Sequence, residues 1–128
     1  MGSVEKRVLI VEDSPVMREL FKLTFKGKAG VRLDNAGDGM GALQAIRAGD
    51  RPYDLILLDL NMPVMDGMKF LSRLNEEPLG EGTVVAIVTT EDSPEVEREA
   101  RALGARYFLR KPVTRRQVDE IILETLGV

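Results

Sequence analysis

Cysteine, histidine and tryptophan are absent from all 128 residues. Without thiols there can be no disulfide, no Cys/His zinc site and no thiol nucleophile. Without imidazole there is no His-based acid–base device. Any chemistry must rest on carboxylates, hydroxyls, lysines or a hard metal ion. Aromatic residues make up only 5% of the chain, and the formal net charge is −3 with a pI near 5.1. Stacking platforms are therefore few and no basic footprint exists, so direct nucleic-acid binding is not expected. No apolar segment approaches the roughly 20 residues of a membrane span, and no signal peptide is visible, so membrane insertion is not expected either. The opening MGSVEKR has no apolar core, and its Gly-Ser reads as a cloning remnant. Repeats, low-complexity tracts and interdomain linkers are also missing, which points to one domain over residues 1–128.

What remains, 44% hydrophobic and 30% charged, is the composition of an ordinary globule with a proper core. Apolar runs alternate with helical patterns. Strands are expected at Arg7–Val11, Val31–Ala36, Tyr53–Leu58, Val84–Thr89 and Ala105–Arg110. Ser14-Pro15 reads as N-cap and first residue of a helix to about Lys26, with Val16, Leu20, Leu23 and Phe25 turned inward. Asp38 caps a second helix carrying Met40, Leu43, Ala45 and Ile46 and ending at Gly49. A third helix covers Gly67–Leu74, followed by a polar turn, EEPLGEG. Ser93-Pro94-Glu95 opens a fourth helix to Leu103, and Thr114 caps a fifth to Leu126. Five strands alternating with five helices, with no hairpin signal, describe a parallel α/β sheet built of βαβ units and covered on both faces.

Such sheets bind ligands beyond the carboxyl ends of their strands. Strand one ends in Glu12 and Asp13, strand three in Asp59 with Asn61 beyond, strand four in Thr89-Thr90, and strand five in Lys111-Pro112. No comparable cluster is expected at the amino ends. Three crowded carboxylates repel one another, and a hard divalent cation such as Mg²⁺ relieves that repulsion. A carboxylate can attack phosphorus to give an aspartyl-phosphate, a lysine supplies charge for phosphoryl oxygens, and a threonine supplies a hydrogen bond. Asp59, at the tip of the central strand, is the best-placed nucleophile. Each residue alone has an ordinary explanation: Asp13 as a helix cap, Lys111 as a solvated surface residue, Thr89 as a β-former. Five such coincidences at one edge favour a phosphoryl-acceptor site instead.

Five motifs carry a family resemblance: VLIVEDS (Val8–Ser14), NAGDGMGAL (Asn35–Leu43), DLILLDLNMPVMDG (Asp54–Gly67), AIVTTED (Ala86–Asp92) and GARYFLRKP (Gly104–Pro112). In this order and spacing they span essentially the whole chain, and the sequence resembles the receiver domains of two-component response regulators, CheY-like single-domain proteins being the nearest kind. The resemblance implies a flavodoxin-like (CheY-like) three-layer sandwich with strand order 2-1-3-4-5 and five helices. It implies phosphorylation on Asp59, with Mg²⁺ (or Mn²⁺) held by the carboxylates of Asp13 and Asp59, by the Asn61 backbone carbonyl and, through a water, by Glu12. Lys111 and Thr89 would serve the transferred phosphoryl group. Thr89 and Phe108 would form the switch, while Asn61 and Glu91 would tune the lifetime of the phosphate toward fairly rapid self-dephosphorylation. Some positions depart from the family pattern. Phe108 has no hydroxyl to offer a partner, and Tyr107 points to the opposite face. Thr90 stands where a small residue is usual and narrows access to Asp59. Val113 replaces a frequent aromatic, and Gly41 costs its helix about 1 kcal/mol against Ala.

The resulting expectation is a cytoplasmic phosphorelay switch that is a phosphoacceptor rather than an enzyme with its own substrate. Its donor would be a histidine kinase or a histidine phosphotransfer protein. Its downstream protein target would dock on the face of the fourth helix, fifth strand and fifth helix, where Arg98, Arg106, Tyr107, Arg110 and Arg116 lie. No effector domain is expected, since Gly127-Val128 closes the last helix, with a receiver excised from a longer regulator as the alternative. A Mg²⁺-dependent aspartyl-phosphate phosphatase is less favoured, because Asn61 occupies the place of its general acid and no cap domain is present. A flavodoxin-like FMN binder is disfavoured by the acids of EDSPVM, where a phosphate loop should lie.

Overall fold

The structure is a computed structural model and describes residues 5–91 and 93–128. The opening Met-Gly-Ser and Asp92, the last residue of the AIVTTED motif, lie outside that range. Five strands pair in parallel in the order β2-β1-β3-β4-β5, with β1 at Lys6–Val11, β2 at Val31–Ala36, β3 at Leu55–Leu58, β4 at Val84–Thr89 and β5 at Tyr107–Arg110. Five α-helices join them: α1 (Pro15–Phe25), α2 (Gly39–Ala48), α3 (Gly67–Leu74), α4 (Pro94–Ala102) and α5 (Arg115–Leu126). The polar turn after α3 contains a short 3₁₀ helix, Pro78–Gly80. No helix among the described residues is long and apolar enough to cross a membrane.

Successive strand residues point to opposite faces, so continuous apolar strands feed two cores. Leu9, Val11, Ile56, Leu58, Val85 and Ile87 pack with Leu43 and Ile46 of α2, Phe70, Leu71 and Leu74 of α3, and Ala100 of α4. Val8, Ile10, Leu55, Leu57, Ala86 and Val88 pack on the other face with Phe21 and Phe25 of α1 and Val118, Ile121, Ile122 and Leu126 of α5. The helices begin where capping chemistry says they should. The side chains of Ser14, Asp38, Asp66, Ser93 and Thr114 each accept a backbone N–H of the first turn. Gly41 sits in that first turn of α2, where its N–H bonds Asp38 Oδ1 at 2.7 Å, so the full cost of a glycine in a helix interior does not apply.

The inward face expected for α1 is corrected. Val16, Leu20 and Leu23 are 69%, 51% and 54% exposed, whereas Phe21, Thr24 and Phe25 are buried. α1 carries apolar residues on two faces, and the spacing alone does not say which one meets the sheet. The set Met17, Phe21, Thr24, Phe25 is as well spaced as the other and includes both rings, which remove more area from water. Met40 of α2 is likewise exposed. β3 and β5 are shorter than expected by two residues each, although hydrogen bonds from Asp54 N–H to Arg7 and from Arg106 N–H to Val85 extend both ladders.

Toward the amino edge of the sheet lies a smaller polar network, without the convergent acids of the carboxyl edge. Arg7, 8% exposed, lays its guanidinium over the Tyr53 ring at 4.3 Å and donates to the Arg51 carbonyl, while its backbone N–H bonds Asp54 Oδ2 at 2.8 Å. The Tyr53 hydroxyl donates to Asp34 Oδ2 at 2.8 Å, and burial, followed by that carboxylate, pushes its pKa up to about 12. A Cβ on Gly49 would meet the Arg7 guanidinium at 2.9 Å, so a larger residue at the end of α2 would displace that side chain. Tyr53→Phe keeps the ring under Arg7 and removes one buried hydrogen bond. It should lower stability by about 1 kcal/mol in urea titration, and a midpoint equal to the wild type's would refute the assigned role of that bond.

Candidate functional site

In an all-parallel sheet every strand delivers its last residue to the same edge, so residues far apart in sequence converge there. The ladder itself sets their height. Glu12 N–H bonds the Ala36 carbonyl (3.0 Å), Asp59 N–H the Val11 carbonyl (3.0 Å), and Lys111 N–H the Thr89 carbonyl (2.8 Å). Glu12, Asp59 and Thr89 are buried at 1%, 6% and 0% exposure, while Asp13 opens to solvent.

Lys111 Nζ bridges the two buried acids, at 2.6 Å from Glu12 Oε1 and 3.2 Å from Asp59 Oδ2. The other Glu12 oxygen accepts from Ser14 N–H at 3.3 Å, and Arg18 donates to the Glu12 carbonyl at 2.7 Å. The Asp59 oxygen away from the lysine, Oδ1, accepts the Asn61 N–H at 3.0 Å. Glu12, Asp13 and Asp59 each present a carboxylate oxygen within 4.8 Å of the others. The electrostatics record the crowding. Burial first, and Asp59 as well, outweigh the lysine and raise the Glu12 pKa to about 7. Burial pulls Lys111 down, but the hydrogen bond to Glu12 and the fields of Asp59 and Glu12 overcome it, and the net direction is up. Three convergent carboxylates with one cation between them form a hard oxygen donor set, which suits Mg²⁺ better than any soft metal.

The loop after β3 is shaped by close approach. A Cβ on Gly67 would lie 2.6 Å from the Asp59 carbonyl oxygen and from Leu60 Cα, so only glycine lets α3 begin against the tip of β3. The Gly67 N–H bonds the Leu60 carbonyl at 2.9 Å and closes the loop. Within it Val64 has φ +68°, an unfavourable conformation for a β-branched residue, with its side chain 81% exposed. The Lys111–Pro112 peptide, which sets the lysine's exit from β5, is cis.

All the residues singled out at the strand ends reach this edge. The Thr89 hydroxyl accepts the Glu91 N–H at 3.3 Å and faces the Asn61 amide at 3.4 Å. Phe108 lies apart from the acids, half-buried against the core under α2, α3 and α4, and Tyr107 lies on the opposite face with its hydroxyl on Glu124. On the expected docking face Arg98 pairs with Glu95, Arg110 with Glu97 and Arg116 with Glu120, while the Arg106 guanidinium lies 6.0 Å from the Tyr107 ring centre. Two contacts escaped sequence reasoning. Arg18 fastens the loop holding Glu12, and Thr90 accepts a hydrogen bond from the Asn61 amide at 3.0 Å. Arg18 lies one helical turn beyond the Ser14 cap, the one local signal that it could reach back over the loop.

Comparison with known proteins meets this geometry. The family described as response regulator receiver domain matches residues 8–123. The curated protein PilH of Pseudomonas aeruginosa is 33% identical over 125 residues, covering 94% of each chain. The chain spans only 29% and 28% of two related protein-glutamate methylesterase/protein-glutamine glutaminases, from Paramagnetospirillum magneticum and Rhodospirillum rubrum. Among solved structures, the chemotaxis protein CheY4 of Vibrio cholerae superposes with a TM-score of 0.84 at 32% identity over 96% of this chain and all of that one. The CheX–CheY–BeF₃–Mg²⁺ complex from Borrelia burgdorferi gives 0.85 at 26% identity, over 94% and 89% of the two chains.

Proposed function

The chain belongs to the response regulator receiver domain family, and from that premise we propose that it is a phosphorylation-activated signalling switch whose acceptor is Asp59. The observation that carries the reading is the Lys111 ammonium bridging Glu12 and Asp59 at the buried end of the central strand. An Asp59 carboxylate oxygen forms a bond to the donor's phosphorus as the bond from phosphorus to the leaving group breaks, and the leaving group keeps the electron pair. Lys111 then faces the added phosphoryl oxygens, and the Thr89 hydroxyl has a proton to donate to them. Hydrolysis returns the carboxylate when water attacks phosphorus, with Asn61 and Glu91 flanking its path. Glu12, Asp13, Asp59 and the Asn61 carbonyl would hold Mg²⁺ or Mn²⁺, which when bound neutralises charge on the acceptor and on the transferred group.

The phosphodonor is a histidine kinase or histidine phosphotransfer protein, or a small acyl phosphate in vitro, and the setting is cytoplasmic. We place the conformational change at Thr89 and Phe108. Drawing Thr89 toward a phosphoryl group releases its bond to Glu91 N–H, and Phe108, at the margin of the core, would turn inward to fill the space that Thr89 leaves. Output passes by protein–protein contact through α4, β5 and α5. Reaction there repartitions ion pairs already formed, Arg110 with Glu97 among them, and does not create a new charged patch. Residues 1–128 act as a single receiver domain in this reading.

Incubation with acetyl phosphate and Mg²⁺ should add the mass of one phosphoryl group to the intact protein, and chelation with EDTA should prevent it. The label should decay within minutes after the donor is removed. Absence of added mass refutes the acceptor assignment, and a half-life of hours refutes the role given to Asn61 and Glu91.

A further inference from the structure

Helix α1 turns an apolar stripe toward solvent. Val16, Leu20 and Leu23, spaced i, i+4, i+7, share one face, and each is more than half exposed. The other exposed large apolar residues of the described chain stand singly: Met40 on α2, Val64 in the loop after β3, Leu123 on α5 and Val128 at the chain end. Leu20 borders two shallow depressions. One, of about 250 Å³, runs between α1 and the start of α5, with Leu23, Val113 and Val118 in its lining. The other, of about 360 Å³, extends toward Met17, Pro112 and Val113. One flank of the stripe is charged, and there Glu19 and Lys22 form an exposed ion pair at 3.2 Å. On the opposite flank Met17 and Phe21 turn into the packing with α5.

We propose that this stripe is an interface between two copies of the chain, packed α1 against α1 and antiparallel about a twofold axis at Leu20. The occupant follows from the symmetry of the stripe. Spacings of four and three residues on either side of Leu20 read nearly the same in both directions. An antiparallel partner sets Leu20 on Leu20 and Val16 on Leu23, the latter twice over, as an isologous contact requires. The recesses beside Leu20 receive the side chains of the other copy. The charges obey the same operator. In an antiparallel pair the flank carrying Glu19 and Lys22 meets itself head to tail, so Glu19 of each copy stands by Lys22 of the other. A parallel pair would lay that charged flank over the Met17 and Phe21 side of the other copy. One helix face is small against the roughly 800 Å² per partner of a standard interface, so the pair is weak, with a Kd on the order of 100 µM. The contact does not depend on the reading of Asp59 as phosphoacceptor, and α1 is not part of the α4, β5 and α5 output face.

Sedimentation equilibrium of the full chain tests this. Between about 10 µM and 1 mM the weight-average mass of wild type should climb from one chain toward two. Leu20→Glu should hold it at one chain throughout. Glu19→Lys and Lys22→Glu each set like charges together at both ends of the contact, and each should weaken association about tenfold. The double variant Glu19→Lys/Lys22→Glu reverses both charges and restores the match, so its Kd should return to within about threefold of wild type. Urea midpoints check folding, and the charge variants carry the test should Leu20→Glu lower its midpoint. A wild type that stays monomeric at 1 mM overturns the proposal and leaves the stripe to a different protein. A folded Leu20→Glu variant that still dimerises places the contact on another face and overturns it too. Single charge variants that associate like wild type, or a double variant that is not restored, refute the antiparallel arrangement.

Discussion

Asp59→Asn takes up no phosphoryl group from acetyl phosphate and Mg²⁺ under conditions that label the wild type. An amide oxygen is a far weaker nucleophile than a carboxylate, and neither neighbouring acid replaces it. Glu12 is 1% exposed with both oxygens engaged, by Lys111 and by the Ser14 N–H, so it is poorly placed to meet a donor. Asp13 is exposed but has no lysine beside it among the described contacts. The loss should not be one of folding. The substitution removes one of two buried carboxylates sharing a single lysine and leaves the Lys111–Glu12 pair in place, so like-charge repulsion falls. Stability in EDTA should equal or exceed that of wild type, and the Glu12 pKa should move back down. Intact mass and urea midpoints read both halves; labelling of the variant at the wild-type rate would show that another residue is the acceptor.

Lys111→Ala should be the most damaging single change to the folded state at this edge, and its cost should depend on pH and on metal. Breaking a buried ion pair from one side costs about 3 kcal/mol, because the partner charge stays behind. Two such charges, Glu12 and Asp59, stay behind here. The sign of the pH dependence follows from Glu12. Its native pKa is raised to about 7 from an ordinary 4.5, so the folded protein holds a proton that the unfolded chain has released. Stability therefore falls as pH rises through that window. Lys111, itself raised, stabilises the fold at all lower pH and loses its contribution only as pH passes its folded pKa. Without the lysine the Glu12 pKa rises further and the fall steepens. In EDTA the variant's deficit should be near 3 kcal/mol at pH 8 and about 1 kcal/mol at pH 5, where Glu12 is protonated. Millimolar Mg²⁺ should offset much of it at pH 8 and little of it at pH 5. Urea titrations at both pH values decide the matter: equal deficits at pH 5 and pH 8 would remove Glu12 from the account.

The sheet and the acid cluster were legible in the sequence because both follow from short-range rules. The caps Ser14, Asp38, Ser93 and Thr114 each announce themselves by side-chain chemistry within three residues. Glu12, Asp59, Thr89 and Lys111 need only the rule that parallel strands end on one edge. The apolar face of α1 was not legible, since Val16, Leu20 and Leu23 repeat with the same period as Met17, Phe21 and Thr24. Only packing beside α5 and over Val8 and Ile10 chooses between them. The Arg7–Tyr53–Asp34 network was missed for a related reason. Arg7 reads as the polar start of a strand until the end of α2 is placed beside it.

By itself, then, the sequence determined the strand–helix alternation, the family and the set of groups that meet at the carboxyl edge. Local propensity, capping and period-two burial act over a few residues and leave little choice. The tertiary structure alone decided which helix faces are buried and which oxygen of Asp59 meets Lys111 and which meets Asn61. It also decided that the Asn61 amide closes on Thr90, 29 residues away in sequence. Such contacts depend on strand order and register, which fix distances across the sheet that no spacing along the chain encodes.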